Sequence, residues 1–149
     1  MLNKFFKDFN SLVNAIVNEI DTEYFAVLGD KFSVDITTNE IMYALVVPEQ
    51  STDNFVKDFV NRFPFAKDYN PFLLSLLHEI GHLETIDEMV DDIDEKNEID
   101  DDFEYFNLFN ERLATDWAGY WIEDNEILAD KFNTKIEDLL FGLYSKLTA

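Results

Sequence analysis

The only two histidines in the 149-residue chain stand together as His78-Glu79-Ile80-Gly81-His82. On a helix, residues four apart lie one turn above each other, so both imidazoles can reach one ion, and zinc takes histidine nitrogen at about 2.0–2.1 Å. Glu79 is turned about 100° away from His78 and is placed to reach water beside the metal rather than the metal. That division of labour suits hydrolysis. Zinc lowers the pKa of its bound water to about 7, and a carboxylate alongside takes the proton and passes it to a leaving amine. His78 and His82 are therefore read as metal ligands, and Glu79 as general base and acid.

A catalytic zinc takes three protein ligands and keeps a fourth position open. The chain has no cysteine and no third histidine, so the third ligand falls to Asp or Glu. Glu111, in Asn110-Glu111-Arg112-Leu113-Ala114-Thr115-Asp116-Trp117-Ala118, is the choice, because Ala114 and Ala118 share its helical face at i+3 and i+7. Small residues there let a second helix come close. Gly81, which costs about 1 kcal/mol relative to Ala inside a helix, makes sense if a neighbouring backbone presses on it. The absence of cysteine also excludes disulfides, thiolate metal sites, iron–sulfur clusters and a cysteine nucleophile.

These side chains need elements to hold them. Phe5, Phe6, Phe9, Leu12, Val13, Ile16, Val17 and Ile20 recur at three- and four-residue spacings and predict an amphipathic helix over residues 2–20. Between Tyr24 and Val47 the period shortens: an apolar run to Leu28, alternation through Phe32, Val34 and Ile36, and a run from Ile41 predict three short strands in a meander. Ser51-Thr52-Asp53 offers N-caps to a helix that Pro64 closes. Asn70-Pro71 opens the helix that carries both histidines and is expected to run to about Met89. A helix capped by Asp102 carries Glu111, and two shorter ones follow, over 126–132 and from the Thr134-x-x-Glu137 capping box. The expectation is one α+β domain spanning 1–149, with a small sheet packed against the N-terminal and histidine helices.

Composition narrows the function. With 47% hydrophobic residues and fifteen Phe, the chain has the apolar material for a core. A formal net charge of -21 opposes direct binding of nucleic acid or anionic lipid. No apolar stretch is long enough for a leader or a membrane span, which predicts a soluble, cytoplasmic protein. Residues 84–104 hold twelve carboxylates and one cation, Lys96. Asp100, Asp102 and Glu104, with Glu111 at position twelve, are spaced as in an EF-hand loop, but Tyr105 occupies the required glycine position. The run is read as a solvated loop whose field favours a basic partner. The contrasting function class is an acidic mimic of DNA, or another interaction protein without catalysis. That class would have no use for His-Glu-x-x-His.

Leu76-Leu77-His78-Glu79-Ile80-Gly81-His82-Leu83, followed by Glu111 in an Asn-Glu-x-x-Ala-x-x-Trp-Ala setting, resembles the gluzincin class of zinc metallopeptidases. The chain most resembles the small phage and bacterial proteins of the ImmA/IrrE-like type, and Leu128-Ala129-x-x-Phe132-Asn133-Thr134 is similar to the segment that follows their active site. The resemblance covers roughly residues 70–145. It implies a zincin-like fold with one edge strand along the substrate cleft, a Zn2+ cofactor, cleavage of a peptide bond in a specific protein, and life in a bacterial or phage-infected cell. The chain departs from the pattern in two places. Thr115 stands where gluzincins of the thermolysin kind place an Asp that orients a liganding His, with Asp116 next to it, and Leu113 replaces the Glu usual before the Ala in the ImmA/IrrE type. With no spare histidine to stabilise the transition state, the candidates are Tyr105, Arg112 and Tyr120.

Overall fold

The structure, a computed structural model, describes residues 2–46, 49–88 and 109–148. Helix α1 (Leu2–Ile20) buries Phe5, Phe9, Val13, Ile16 and Val17. Beside that apolar stripe runs a second one, Asn10, Asn14 and Asn18, at four-residue steps, and all three side chains bond to the strand region. Tyr43 Oη donates to Asn10 Oδ1 at 2.8 Å. Asn14 Oδ1 accepts from Ala26 N at 2.9 Å while its Nδ2 donates to Ala26 O at 3.1 Å. Asn18 Nδ2 donates to Tyr24 O at 2.7 Å. An amide that donates and accepts towards one residue does what a neighbouring strand would do.

That substitution changes the sheet from the expected meander. Strands β1 (Phe25–Leu28), β2 (Ser33–Asp35) and β3 (Glu40–Tyr43) lie in the order β1-β3-β2. β2 and β3 form an antiparallel hairpin with Val34 opposite Ile41, turned through Asn39 at φ 61°, a left-handed conformation that Asn tolerates. β1 runs parallel to β3, with Ala26 opposite Ile41. Because α1 covers the outer side of β1, the strand has one edge left to pair. The partner is β3, whose Ile41 and Tyr43 are buried, and half-exposed β2 is left at the margin.

Helix α2 (Glu49–Arg62) leads through a 3-10 turn at Pro64–Asp68 into α3 (Pro71–Glu84). Asn70 caps α3, its Oδ1 accepting from Phe72 N at 2.9 Å. Leu73, Leu74, Leu76, Leu77 and Ile80 are wholly buried, so α3 is the centre of the core. It ends five residues before the expected Met89. Thr85 turns both its backbone N–H and its hydroxyl back onto the Gly81 carbonyl, at 3.0 and 2.7 Å, and a 3-10 turn at Ile86–Glu88 follows.

Helix α4 (Phe109–Asp124) carries Glu111, and α5 (Glu126–Thr148) replaces the two short C-terminal helices of the expectation with one. The capping box is not used. Asn133 instead accepts from Asn70 N at 2.7 Å and donates to Glu137 Oε1 at 2.7 Å, so the carboxylate that the box would have needed is taken within α5 by the residue four positions before it. The proposed cap Asp102, the calcium-like Asp100, Asp102 and Glu104, and the acidic run beyond Glu88 lie outside the described residues. The architecture is α+β, with a three-stranded mixed sheet and α1, α2, α4 and α5 gathered around α3.

Asn14→Leu keeps the volume and strands both backbone groups of Ala26. The expected loss is about 2–4 kcal/mol, a fall of roughly 5–10 °C in melting temperature that thermal denaturation followed by circular dichroism measures.

Candidate metal centre

The site begins with a contact between backbones. A Cβ at Gly81 would stand 2.5 Å from the carbonyl oxygen of Ala114 and 2.9 Å from its Cα, so only glycine fits where α3 and α4 touch. His78 and Glu111 each lie three residues before that contact, on one flank of the crossing. Close approach at Gly81 thus brings their side chains together.

Glu111 spans the two histidines. Its Oε1 lies 3.3 Å from His78 Nε2 and its Oε2 lies 3.1 Å from His82 Nε2. The three ligand atoms fall within 4.8 Å of one another. Donors about 2.0–2.1 Å from a tetrahedral ion stand about 3.3 Å apart, so this spacing and donor set fit a small divalent cation. His78 and Glu111 side chains are 5% exposed and His82 13%, so the approach from solvent is on the His82 side. Half-buried Glu79 lies on the same helix, between the two ligands in sequence.

His78 is held from behind. His78 Nδ1 lies 2.9 Å from Thr115 Oγ1, so of the neighbouring candidates for orienting a ligand, Thr115 and Asp116, it is Thr115 that reaches the ring. Asp116 pairs with Arg62 at 3.4 Å. The ring of Phe55 meets His78 edge-on, centroids 5.2 Å apart. Burial pushes the Glu111 carboxyl upward, but the hydrogen bonds and positive charge of His78 and His82 outweigh it and hold the group well below the usual carboxylate range. Asp58 is also buried nearby. There desolvation prevails over the attraction of Arg62, 3.6 Å away, and raises the carboxyl.

Of the three candidates for transition-state stabilisation, Arg112 is exposed on α4, and Tyr120 packs edge-on against Phe63 with centroids 5.3 Å apart. Tyr120 is nine residues from Glu111, about 13 Å along the helix. Tyr105 lies outside the described residues. Sequence reasoning did not single out Phe55, Asp58 and Arg62 as neighbours of the site. The Asp58–Arg62 spacing of four on α2 is the one trace they leave in the sequence. No family model, curated protein or solved structure matches the chain.

Gly81→Ala is expected to cost about 1–3 kcal/mol, because the obstacle is backbone that no rotamer change relieves, and to weaken metal binding at the same time. Urea unfolding and metal titration read the two effects.

The depressed Glu111 also makes a prediction about pH. The unfolded chain protonates this carboxyl first, so its contribution to the metal-free protein is present above about pH 4.5 and is lost as pH falls through the lower folded value. Glu111→Gln should flatten the stability profile below pH 4.5 relative to the parent. Asp58, shifted the other way, is common to both proteins and cancels in the difference.

Proposed function

We propose that the chain is a zinc-dependent metallopeptidase that cuts a peptide bond in a specific protein, with His78, His82 and Glu111 as zinc ligands. The observation that carries the proposal is the convergence of these three ligand atoms within 4.8 Å beside Glu79, built from the only histidines in the sequence. A zinc ion held there supplies Lewis acidity and brings the pKa of a bound water to about 7.

The remaining work belongs to the chain. Glu79 takes the proton from the attacking water on its carboxylate and delivers it to the departing amine nitrogen. Glu111 supplies the one negative charge of the ligand set. Thr115 fixes the His78 ring: its hydroxyl accepts from Nδ1–H when Nε2 is a ligand, and donates to Nδ1 when Nε2 carries the proton. An aspartate at that position could only accept. The hydroxyl therefore serves the ring both with and without metal.

The resemblance to gluzincins of the ImmA/IrrE-like type supports the same reading, and the acidic composition supports a basic substrate protein. No helix among the described residues is long and apolar enough to cross a membrane.

Purification in excess zinc followed by metal analysis is expected to give near one equivalent. His78→Ala should lower the affinity by more than the about 10–100-fold that loss of an outer hydrogen-bond partner costs. Glu79→Gln should keep the zinc and lose about 10²–10⁴-fold in turnover of a cleavable peptide. Zinc binding that survives His78→Ala would overturn the ligand assignment, and a chain that takes up no zinc would leave the non-catalytic acidic interaction protein as the better reading.

A further inference from the structure

Helix α3 is buried almost throughout, and among its described residues Pro71, Ser75, Glu79 and His82 form one accessible stripe, at steps of four, four and three. The stripe leads from the metal centre back to an open cavity of about 620 Å³, within the range of pockets that bury ligand-sized groups. None of the three ligands lines this cavity. Its walls are apolar: Phe32, Leu45, Phe72, Leu140 and Leu143, with Ser75 and Pro71 at the α3 side. Two residues at its rim stand out in water, Val46 at 85% exposure and Phe141 at 73%. Core packing explains neither. Among the described residues the one charged member of the lining is exposed Glu137, in a protein of net charge -21.

We infer that this cavity is the specificity site of the proposed peptidase and that it takes bulky apolar side chains of the substrate lying two to four residues from the bond that is cut, flanked by Lys or Arg. The inference rests on the metallopeptidase reading and deepens it. The distance follows from the helix. Ser75 lies about 6 Å and Pro71 about 12 Å from Glu79 along the axis, while an extended peptide advances about 3.3 Å per residue. The chemistry follows from the walls and from charge. Burying one or two large apolar side chains contributes roughly 1.5–3 kcal/mol each, enough to select a sequence, and Glu137 with the surrounding negative field selects a basic flank.

The test separates binding from cleavage. The Glu79→Gln chain is immobilised and exposed to a positional-scanning library of acetylated dodecapeptides, and the retained pool is sequenced by mass spectrometry. The expected pool is enriched in Phe, Leu, Ile or Tyr close to Lys or Arg. Phe141→Glu, at an exposed position outside the core, and Ser75→Trp, which fills the cavity, should each lower retention at least about tenfold, or about 1.4 kcal/mol, with the circular dichroism spectrum unchanged.

No apolar enrichment, or equal retention by Phe141→Glu, overturns the inference. So does a dimer in gel filtration that Phe141→Glu dissolves, since that assigns the cavity to a second copy of the chain. Retained peptides are then offered to the zinc-loaded parent. Peptides that bind but are not cut leave the cavity assigned and remove the peptidase reading. Peptides cut equally well by the parent and by Phe141→Glu keep the peptidase and remove the cavity from it.

Discussion

The contact between Gly81 and the backbone of Ala114 is the constraint on which the site depends. Side chains reach a shared ion only if their helices stand at one separation, and α3 and α4 are set at theirs by backbone against backbone, with no adjustable side chain between. The cost is a glycine in the middle of a helix, about 1 kcal/mol of propensity, offset by a helix whose leucines are wholly buried. A second glycine of α4, Gly119, leaves room for a side chain, and a Cβ there would run into the ring of Phe63. The helix that brings Glu111 is thus set by backbone at Gly81 and packed by a ring at Gly119.

Placing Glu111 between two imidazoles settles a local electrostatic problem. A buried carboxylate without partners is expensive, and here each oxygen faces a histidine nitrogen, so the desolvation cost is met before any ion arrives. Nearby Asp58 shows the opposite balance, with burial prevailing over the charge and the hydrogen bonding of Arg62. These two carboxylates differ in their partners, a histidine on each oxygen of Glu111 against an arginine beside Asp58. That difference separates a group held ionised from one pushed towards neutrality.

Much of this was legible in the sequence. The α3 helix, the small sheet and the juxtaposition of Glu111 with His78 and His82 followed from periodicity, from capping at Asn70-Pro71 and from the pairing of Gly81 with Ala114 and Ala118. The rest was hidden for identifiable reasons. The order of the strands is decided by Asn14 on α1, whose side chain reads as an ordinary polar position on an amphipathic helix until its partner Ala26 is known. Asn133, inside the continuous α5, accepts a bond from Asn70, which is 63 positions away in the chain. Local rules cannot see either contact. The four-residue recurrence of Asn10, Asn14 and Asn18 was visible, but polar residues on such a stripe normally face water.

The Asn14 bonds to Ala26 also bear on how the molecule behaves in company. An uncovered strand margin with Phe25 and Leu28 both more than 40% exposed would be an invitation to stack edge to edge with other chains. By engaging the Ala26 N–H and C=O from within, a single amide side chain closes the middle of that margin to intruding strands, and the sheet is left with β2 as its approachable side. Colloidal behaviour at high concentration is thus set in part by one asparagine, in addition to the mutual repulsion of a strongly anionic surface.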